Sequence, residues 1–239
     1  MRSKVLFVVE GKIDEVRILS NPRHGLLKLL DFDYEIVSFC NPIYELYQNY
    51  KNGMYDDLVS YLRHEKGLKI DDKLLSSEAF SAVYLIFDFD PHYQKYSDEE
   101  IKDILNIFND ETGLGKIYIN YPMVESFYHI KEFDDINYLD SKVDLLKYSG
   151  RDYKKLVNQE TYVKKNRVTD YDLISIVKLN YLKAKKIVRD EDINYFKILE
   201  MQIEMKNSFH EIYVLCTMPL LLYDYNPNLV LSQFNYWFY

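Results

Sequence analysis

Short apolar runs alternate with longer amphipathic stretches over the first half of the chain. Residues 4–9, 34–40, 82–88 and 116–120 are rich in β-branched and aromatic side chains, which is typical of strands buried on both faces of a sheet. The residues around 13–30, the long segment 42–65 and the stretch after Ser97 are compatible with helices. Ser97 with Glu100 has the spacing of a capping box, which marks a helix start.

Strands that alternate with helices predict a parallel sheet, because parallel neighbours must be joined by a crossover. We therefore expect an α/β domain over residues 1–130, with the run 4–9 as its central strand and a helical insertion at about 42–76. Residues 131–239 show helical periodicity without convincing strands, and they predict a helical C-terminal region packed on this domain. The aromatic residues at the end of the chain should pack on the body or on a partner. One apolar helix face is predicted there, formed by Leu173, Ile176, Val177, Tyr181, Ala184 and Val188.

Acidic side chains follow three of the predicted strands. Glu10 ends the first strand, Asp88 and Asp90 follow the third, and Glu125 comes shortly after the fourth. The carboxyl ends of parallel strands meet at one edge of a sheet, which is where such folds bind ligands. Converging carboxylates repel one another unless a cation neutralises them, and oxygen ligands without a Cys/His cluster favour Mg²⁺ or Mn²⁺. Such an ion serves phosphodiester cleavage or transfer.

Two short motifs resemble a known superfamily. Val8-Val9-Glu10-Gly11 after one strand and Asp88-Phe89-Asp90 after another resemble the TOPRIM fold of topoisomerases, primases and several nucleases. The resemblance covers about residues 1–130 and implies a TOPRIM-like Rossmannoid sheet. It implies that Glu10 is a catalytic acid/base and metal ligand, and that Asp88 and Asp90 are catalytic metal ligands. The long separation of Glu10 from Asp88 departs from primases and topoisomerases, so the helical insertion is expected there.

Two further acidic residues are similar to those of OLD (overcoming-lysogenization-defect) nucleases. Asp14 gives an E-x3-D pattern with Glu10, and Glu125 lies in a PMVES segment. The resemblance implies that both contribute to a two-metal site. Compact TOPRIM proteins of this kind act in anti-phage defence beside an ABC-type ATPase. The chain has no GxxxxGK[ST] loop, so the ATPase would be a partner.

The charge is unevenly distributed along the chain. The formal net charge is -8, yet residues 147–189 contain twelve Lys or Arg against four Asp or Glu. This basic band predicts a nucleic-acid surface that binds phosphates without sequence preference. Its interleaved tyrosines Tyr148, Tyr153, Tyr162, Tyr171 and Tyr181 could stack on unpaired bases. The candidate contacts are Lys12, Lys154, Lys155, Lys164, Lys165 and Arg167.

The remaining residues predict a cytoplasmic protein. Cys40 and Cys216 lie in apolar surroundings and are expected to be buried free thiols in a reducing compartment. His92 and His129 follow acidic motifs, and the surface is the expected place for both. No stretch approaches the roughly 20 apolar residues of a membrane helix, so no membrane association is expected.

Two hypotheses of different classes follow. The first is a Mg²⁺-dependent nuclease acting in phage defence by abortive infection, with DNA favoured over RNA and a structured RNA such as tRNA as the alternative. The second is a catalytically idle TOPRIM-like subunit that docks on a partner. The hypothesis of a glycosyltransferase that uses Asp88-Phe89-Asp90 is less favoured, because it assigns no role to Glu10. A homo-oligomer is left open.

Overall fold

The fold is taken from a computed structural model of the chain. The residues described are 4–23, 25–64, 67, 79–133, 136–165, 167–190, 192–228 and 231–232. Part of the predicted insertion at 42–76 and most of the aromatic C-terminus therefore lie outside the described residues.

A five-stranded mixed sheet forms the centre of the molecule. It contains β1 (Lys4–Val9), β2 (Asp33–Ser38), β3 (Ala82–Asp88), β4 (Asn109–Asp110) and β5 (Gly115–Asn120), in the order β2-β1-β3-β5-β4. All neighbouring strands run parallel except β4, which pairs antiparallel with β5. The chain is thus α/β with mostly parallel strands flanked by helices, which is compatible with a Rossmannoid fold. The expected all-parallel sheet is corrected by β4, a two-residue exposed edge strand whose polar residues gave no strand signal.

The interior strands are apolar because both faces of the sheet are covered. Phe7 of β1 lies between Ile36 of β2 and Tyr84 of β3, and every residue of β3 is buried. β3, not β1, occupies the central position. This order brings the carboxyl ends of β1 and β3 side by side.

The helices of the first half are shorter than predicted. They are α1 (Asp14–Ser20), α2 (Ile43–Lys51), α3 (Leu58–His64) and α4 (Asp98–Ile107), and a 3-10 turn at Leu26–Leu29 follows α1. The Ser97 hydroxyl accepts the Glu100 N–H at 3.0 Å, so the predicted start of α4 is confirmed.

The predicted helix over 42–65 is two helices. Gly53 has a φ of +67° just after the end of α2. Glycine adopts this left-handed conformation without steric cost and commonly ends helices. The apolar spacing persists on both sides of the break, which is why periodicity alone predicted one helix.

The second half contains α5 (Gly150–Glu160), α6 (Asp170–Val188), α7 (Tyr195–Phe209) and α8 (Leu220–Tyr225). The predicted apolar face of α6 is buried in full. The Asp224 carboxylate of α8 accepts hydrogen bonds from Lys116 and Tyr118 of β5. This contact holds the C-terminal region against the sheet.

The expectation of a strandless C-terminal region is wrong. β6 (Lys142–Asp144) pairs antiparallel with β7 (Glu211–Tyr213), and 3-10 turns at Val124–Tyr128 and Ile136–Asp140 precede them. Each strand has only three residues, and the pairing joins segments far apart in sequence. Three residues are too few to show the alternation of apolar and polar positions that indicates a strand.

The two cysteines differ in exposure. Cys216 is buried as expected, whereas Cys40 is exposed, and both are free thiols. Cys40 lies beyond the end of β2, an edge strand of the sheet, with a φ of 63°. Within the described residues, no helix is both long enough and apolar enough to cross a membrane.

Candidate metal centre

Glu10 extends the hydrogen-bonded ladder one residue beyond β1. Its N–H donates to the Ile86 carbonyl at 3.0 Å, and its carboxylate Oε2 accepts the Asp88 N–H at 3.1 Å. Burial raises the pKa of Glu10 from 4.5 to about 7, and the charges of Glu15 and Asp90 add to this rise. Glu10 thus titrates near neutral pH, as a proton-transferring group should.

Asp88 is the buried last residue of β3. Its Oδ1 accepts the Val124 N–H at 2.8 Å. Burial raises its pKa well above the usual range, and Glu10, Glu15 and Glu125 raise it further by charge repulsion. The structure thus brings Asp88, Glu10 and Glu125 into one electrostatic neighbourhood at the edge that the sequence predicted, together with Glu15.

Asp90 lies beyond Asp88 on a left-handed backbone with φ 32°. The preceding Phe89 is buried, and the Tyr44 hydroxyl donates to its carbonyl at 2.7 Å. Burial raises the pKa of Asp90, against the opposing effect of His92. Tyr44 of α2, which the sequence did not single out, thus fixes the backbone between the two aspartates.

Glu125 lies in the 3-10 turn after β5 and is 2% exposed. Its Oε1 pairs with the Lys154 ammonium of α5 at 2.7 Å. Its Oε2 is buried without a hydrogen-bond partner. A buried acceptor without a partner costs about 1–3 kcal/mol, so this oxygen is the strongest candidate in the cluster to bind a cation.

Glu15 is a buried member of the cluster that sequence reasoning missed. Its Oε1 accepts the Gly11 N–H at 3.0 Å, and burial raises its pKa. A Cβ at Gly11 would lie 2.5 Å from the Glu15 Oε2, so a larger residue there would push the Glu15 carboxylate out of its present position. The predicted ligand Asp14 is half-buried, and one of its oxygens lies 3.6 Å from Arg17. Both acids are in the first turn of α1, so spacing alone could not tell which one turns inward.

The cluster fits a divalent ion in the chemistry of its donors. All of them are carboxylate oxygens, which suit Mg²⁺ or Mn²⁺, and Glu125 offers an unsatisfied one. As they stand, no three His, Cys, Asp or Glu side chains in the described ranges are arranged to hold an ion. Glu10 and Asp88 each accept one backbone N–H, which leaves the second oxygen of each carboxylate for an ion.

The predicted basic contacts fall into separate environments. Lys154 reaches the carboxylates, and the Lys165 ammonium lies 5.1 Å from the centre of the Tyr128 ring. Lys155 pairs with Asp152 on the surface of α5. The other three contacts, Lys12, Lys164 and Arg167, are exposed.

One lysine of the basic band is not at the surface. Lys183 is fully buried, and its ammonium donates to the Tyr138 carbonyl and to the carbonyl and hydroxyl of Ser141. Its position on the apolar face of α6 places it in the core. There its ammonium donates hydrogen bonds to the oxygens of the turn before β6. The band is therefore a smaller cationic surface than the sequence count indicates.

His129 is buried, which corrects the expectation of a surface histidine. Its Nδ1 lies 3.0 Å from the Tyr153 hydroxyl and its Nε2 lies 2.9 Å from a Glu160 oxygen. Burial lowers the pKa of His129, although Glu160 opposes this. These contacts hold α5, and with it Lys154, against the turn that carries Glu125. His92 is exposed as expected.

Five acidic side chains, Glu10, Glu15, Asp88, Asp90 and Glu125, thus share one edge of the sheet, with Asp14 beside them. Comparison of the chain with protein-family models, with curated proteins and with solved structures gives no match. The chemistry of this carboxylate cluster is therefore the basis for assigning a function.

Proposed function

We propose that the chain is a Mg²⁺- or Mn²⁺-dependent nuclease. The observation that carries the proposal is the buried Glu125 Oε2, which has no partner and lies in a cluster of carboxylates with raised pKa values. A protein core that served stability alone would not gather these acids, because each must be desolvated and repels the others. A cation removes both costs.

The residues have distinct roles in this proposal. Glu10, Asp88 and Asp90 would hold one ion, and Glu125 with Glu15 or Asp14 would contribute to a second. When bound, the ions supply Lewis-acid polarisation of a phosphate oxygen and of the attacking water. Glu10 would accept the proton of the attacking water. Lys154 leaves Glu125 and turns toward the phosphate.

The resemblance of the two motifs to TOPRIM proteins supports the same assignment. The proposal places the chain with OLD-like nucleases that act as cytoplasmic effectors against phage, beside an ABC-type ATPase. Nucleic acid is its substrate, as DNA or structured RNA.

An idle interaction subunit is the second candidate function. The observation that favours it is the Lys154–Glu125 ion pair, together with the backbone N–H groups that satisfy Glu10 and Asp88. In that case the lysine takes the place of the metal permanently, and the site serves stability and docking.

A cleavage assay separates the two functions. The protein is incubated with labelled DNA and RNA, single-stranded and duplex, in Mg²⁺, Mn²⁺ or EDTA. We expect metal-dependent cleavage that falls at least about 100-fold in Glu10→Gln and Asp88→Asn, given the usual contribution of such groups. Asp152→Asn, which removes an exposed acid of α5, should cleave normally. Cleavage that survives both site variants while they remain folded would contradict the nuclease proposal.

A further inference from the structure

Two exposed tyrosines and a partly buried phenylalanine form a group of aromatic rings, here named the aromatic patch: Phe133, Tyr162 and Tyr171. Phe133 contacts both tyrosines edge-to-face, with ring centres 5.5 Å and 5.8 Å apart. Tyr162 is 60% exposed and Tyr171 is 41% exposed. Large apolar rings that face water together mark an interaction site more often than single ones.

The fold distinguishes these tyrosines from the others of the basic band. Tyr153 and Tyr181 are buried in the core, and Tyr148 is partly buried against it. Tyr162 and Tyr171 therefore remain as the band's exposed tyrosines among those the sequence pointed to. Phe133 is partly buried against the core and contacts both tyrosine rings.

Hydrogen bonds to two backbone carbonyls hold the segment of Tyr162 against the end of the turn that carries Glu125. The Tyr162 N–H donates to the Ile130 carbonyl at 2.8 Å, and the Thr161 hydroxyl donates to the Tyr128 carbonyl at 2.5 Å. Ile130 follows Glu125 by five residues, which span at most about 18 Å. The patch and the carboxylates are thus within reach of one short strand of nucleic acid.

Cationic residues lie close in sequence to the residues of the patch, on an otherwise acidic protein. Lys164 and Arg167 are exposed, and no carboxylate among the described residues pairs with either of them. Lys165 lies over the ring of Tyr128, the last residue of the turn that carries Glu125. Lys131 pairs with Glu160, and Asp170, next to Tyr171, pairs with Lys28. Glu132, next to Phe133, is a further exposed acid. Because the formal net charge of the chain is -8, a polyanion is repelled elsewhere and attracted here.

We propose that the aromatic patch stacks the bases of an unpaired nucleotide strand whose backbone then runs to the carboxylates. This inference rests on the proposed nuclease function and narrows its substrate to single-stranded DNA or RNA, or to unpaired segments. Every base presents a stacking face, whereas the bases of a duplex are already stacked on one another. The cations beside the rings hold the phosphates of the same strand.

Binding in EDTA tests the inference without cleavage. Anisotropy of fluorescein-labelled 12-mers of oligo-dT and oligo-rU is compared with that of a blunt 12-base-pair duplex at several salt concentrations. We expect the unpaired strands to bind more tightly than the duplex. Tyr162→Ala should weaken them about 5- to 100-fold, the range for loss of one stacked base. Tyr162→Phe should stay within about twofold of the natural protein.

The matched control is Tyr225→Ala. Tyr225 is 47% exposed and contacts Phe32 edge-to-face, so it resembles Tyr162 in exposure and ring contact but belongs to α8. Equal loss of binding in both variants, no loss in Tyr162→Ala, or duplex bound as tightly as single strands would overturn the inference. A difference between oligo-dT and oligo-rU decides which nucleic acid is preferred.

The two proposals fail in different ways. If Glu10 and Asp88 are needed for cleavage but Tyr162→Ala binds normally, only the stacking inference is wrong. If Tyr162→Ala loses single-strand binding but no metal supports cleavage, only the nuclease proposal is wrong. Melting temperatures of all variants establish that each is folded, as expected for the exposed Tyr162 and Tyr225 and for the nearly isosteric changes at Glu10 and Asp88.

Discussion

Replacing Glu10 by glutamine should stabilise the protein, and more so at higher pH. Glutamine has the same shape, and its amide oxygen can still accept the Asp88 N–H that Glu10 accepts at 3.1 Å. The change removes the charge of a carboxylate that burial and its neighbours disfavour. Replacing a buried polar side chain usually destabilises a protein, but here we expect the opposite.

The direction and size of this pH-dependent change in stability follow from the pKa of Glu10. It is about 7 in the folded protein against 4.5 ordinarily, so between these values the folded state holds more protons than the unfolded state. The free energy of unfolding of the natural protein therefore falls as pH rises through this window. The full effect is about 3 kcal/mol at 1.36 kcal/mol per pKa unit. Between pH 5.5 and pH 8 the same relation gives about 2 kcal/mol.

Urea unfolding at pH 5.5 and pH 8 measures the effect. The advantage of Glu10→Gln over the natural protein should grow by about 2 kcal/mol across this interval. Asp152→Asn, at an exposed acid, serves as the control and should show no such growth. A stability difference between Glu10→Gln and the natural protein that does not change with pH would refute the reasoning. A variant that is less stable than the natural protein at pH 8 would also refute it. Added Mg²⁺ should then stabilise the natural protein more than the variant, because the ion needs the charged form.

Three other substitutions test the surroundings of the site by thermal and urea unfolding. Lys154→Met should destabilise by about 1–3 kcal/mol, because it leaves Glu125 buried without its ion-pair partner; the loss should nearly vanish in a Glu125→Gln background, and undiminished loss there would exclude the pairing. Lys183→Met should cost about 1.5–3 kcal/mol, because it removes the hydrogen bonds that a buried ammonium donates to three oxygens; a loss under 1 kcal/mol would show that these hydrogen bonds do not stabilise the fold. Thr169→Ala should cost about 1 kcal/mol, because its hydroxyl accepts the Asp172 N–H at the start of α6, whereas Thr169→Ser should be nearly neutral.

The strands that carry the site could be predicted from the sequence. β1 and β3 match their apolar runs residue for residue, and β5 begins one residue earlier than predicted. Strands buried on both faces leave a continuous apolar signal that local neighbours do not alter. Because the ends of such strands define the ligand edge, Glu10 and Asp88 followed directly.

Features that depend on side-chain direction or distant pairing could not be predicted. Asp14 and Glu15 are adjacent, and only the turn after Gly11 decides that Glu15 is the buried acid. Lys183 looks like any other charged residue of the basic band, yet the geometry of α6 buries it. The β6–β7 pair depends on contacts between distant segments, for which a three-residue pattern carries no signal.

The central claim is that the strand-end carboxylates bind a divalent ion. Anomalous diffraction from a crystal soaked in Mn²⁺ tests it most directly. We predict a peak within coordination distance, about 2.0–2.4 Å, of carboxylate oxygens from Glu10 and from Asp88 or Asp90, with Lys154 displaced from Glu125 if a second peak is present. A crystal without a peak at this edge, in which the Lys154 ammonium still holds Glu125, would contradict the claim.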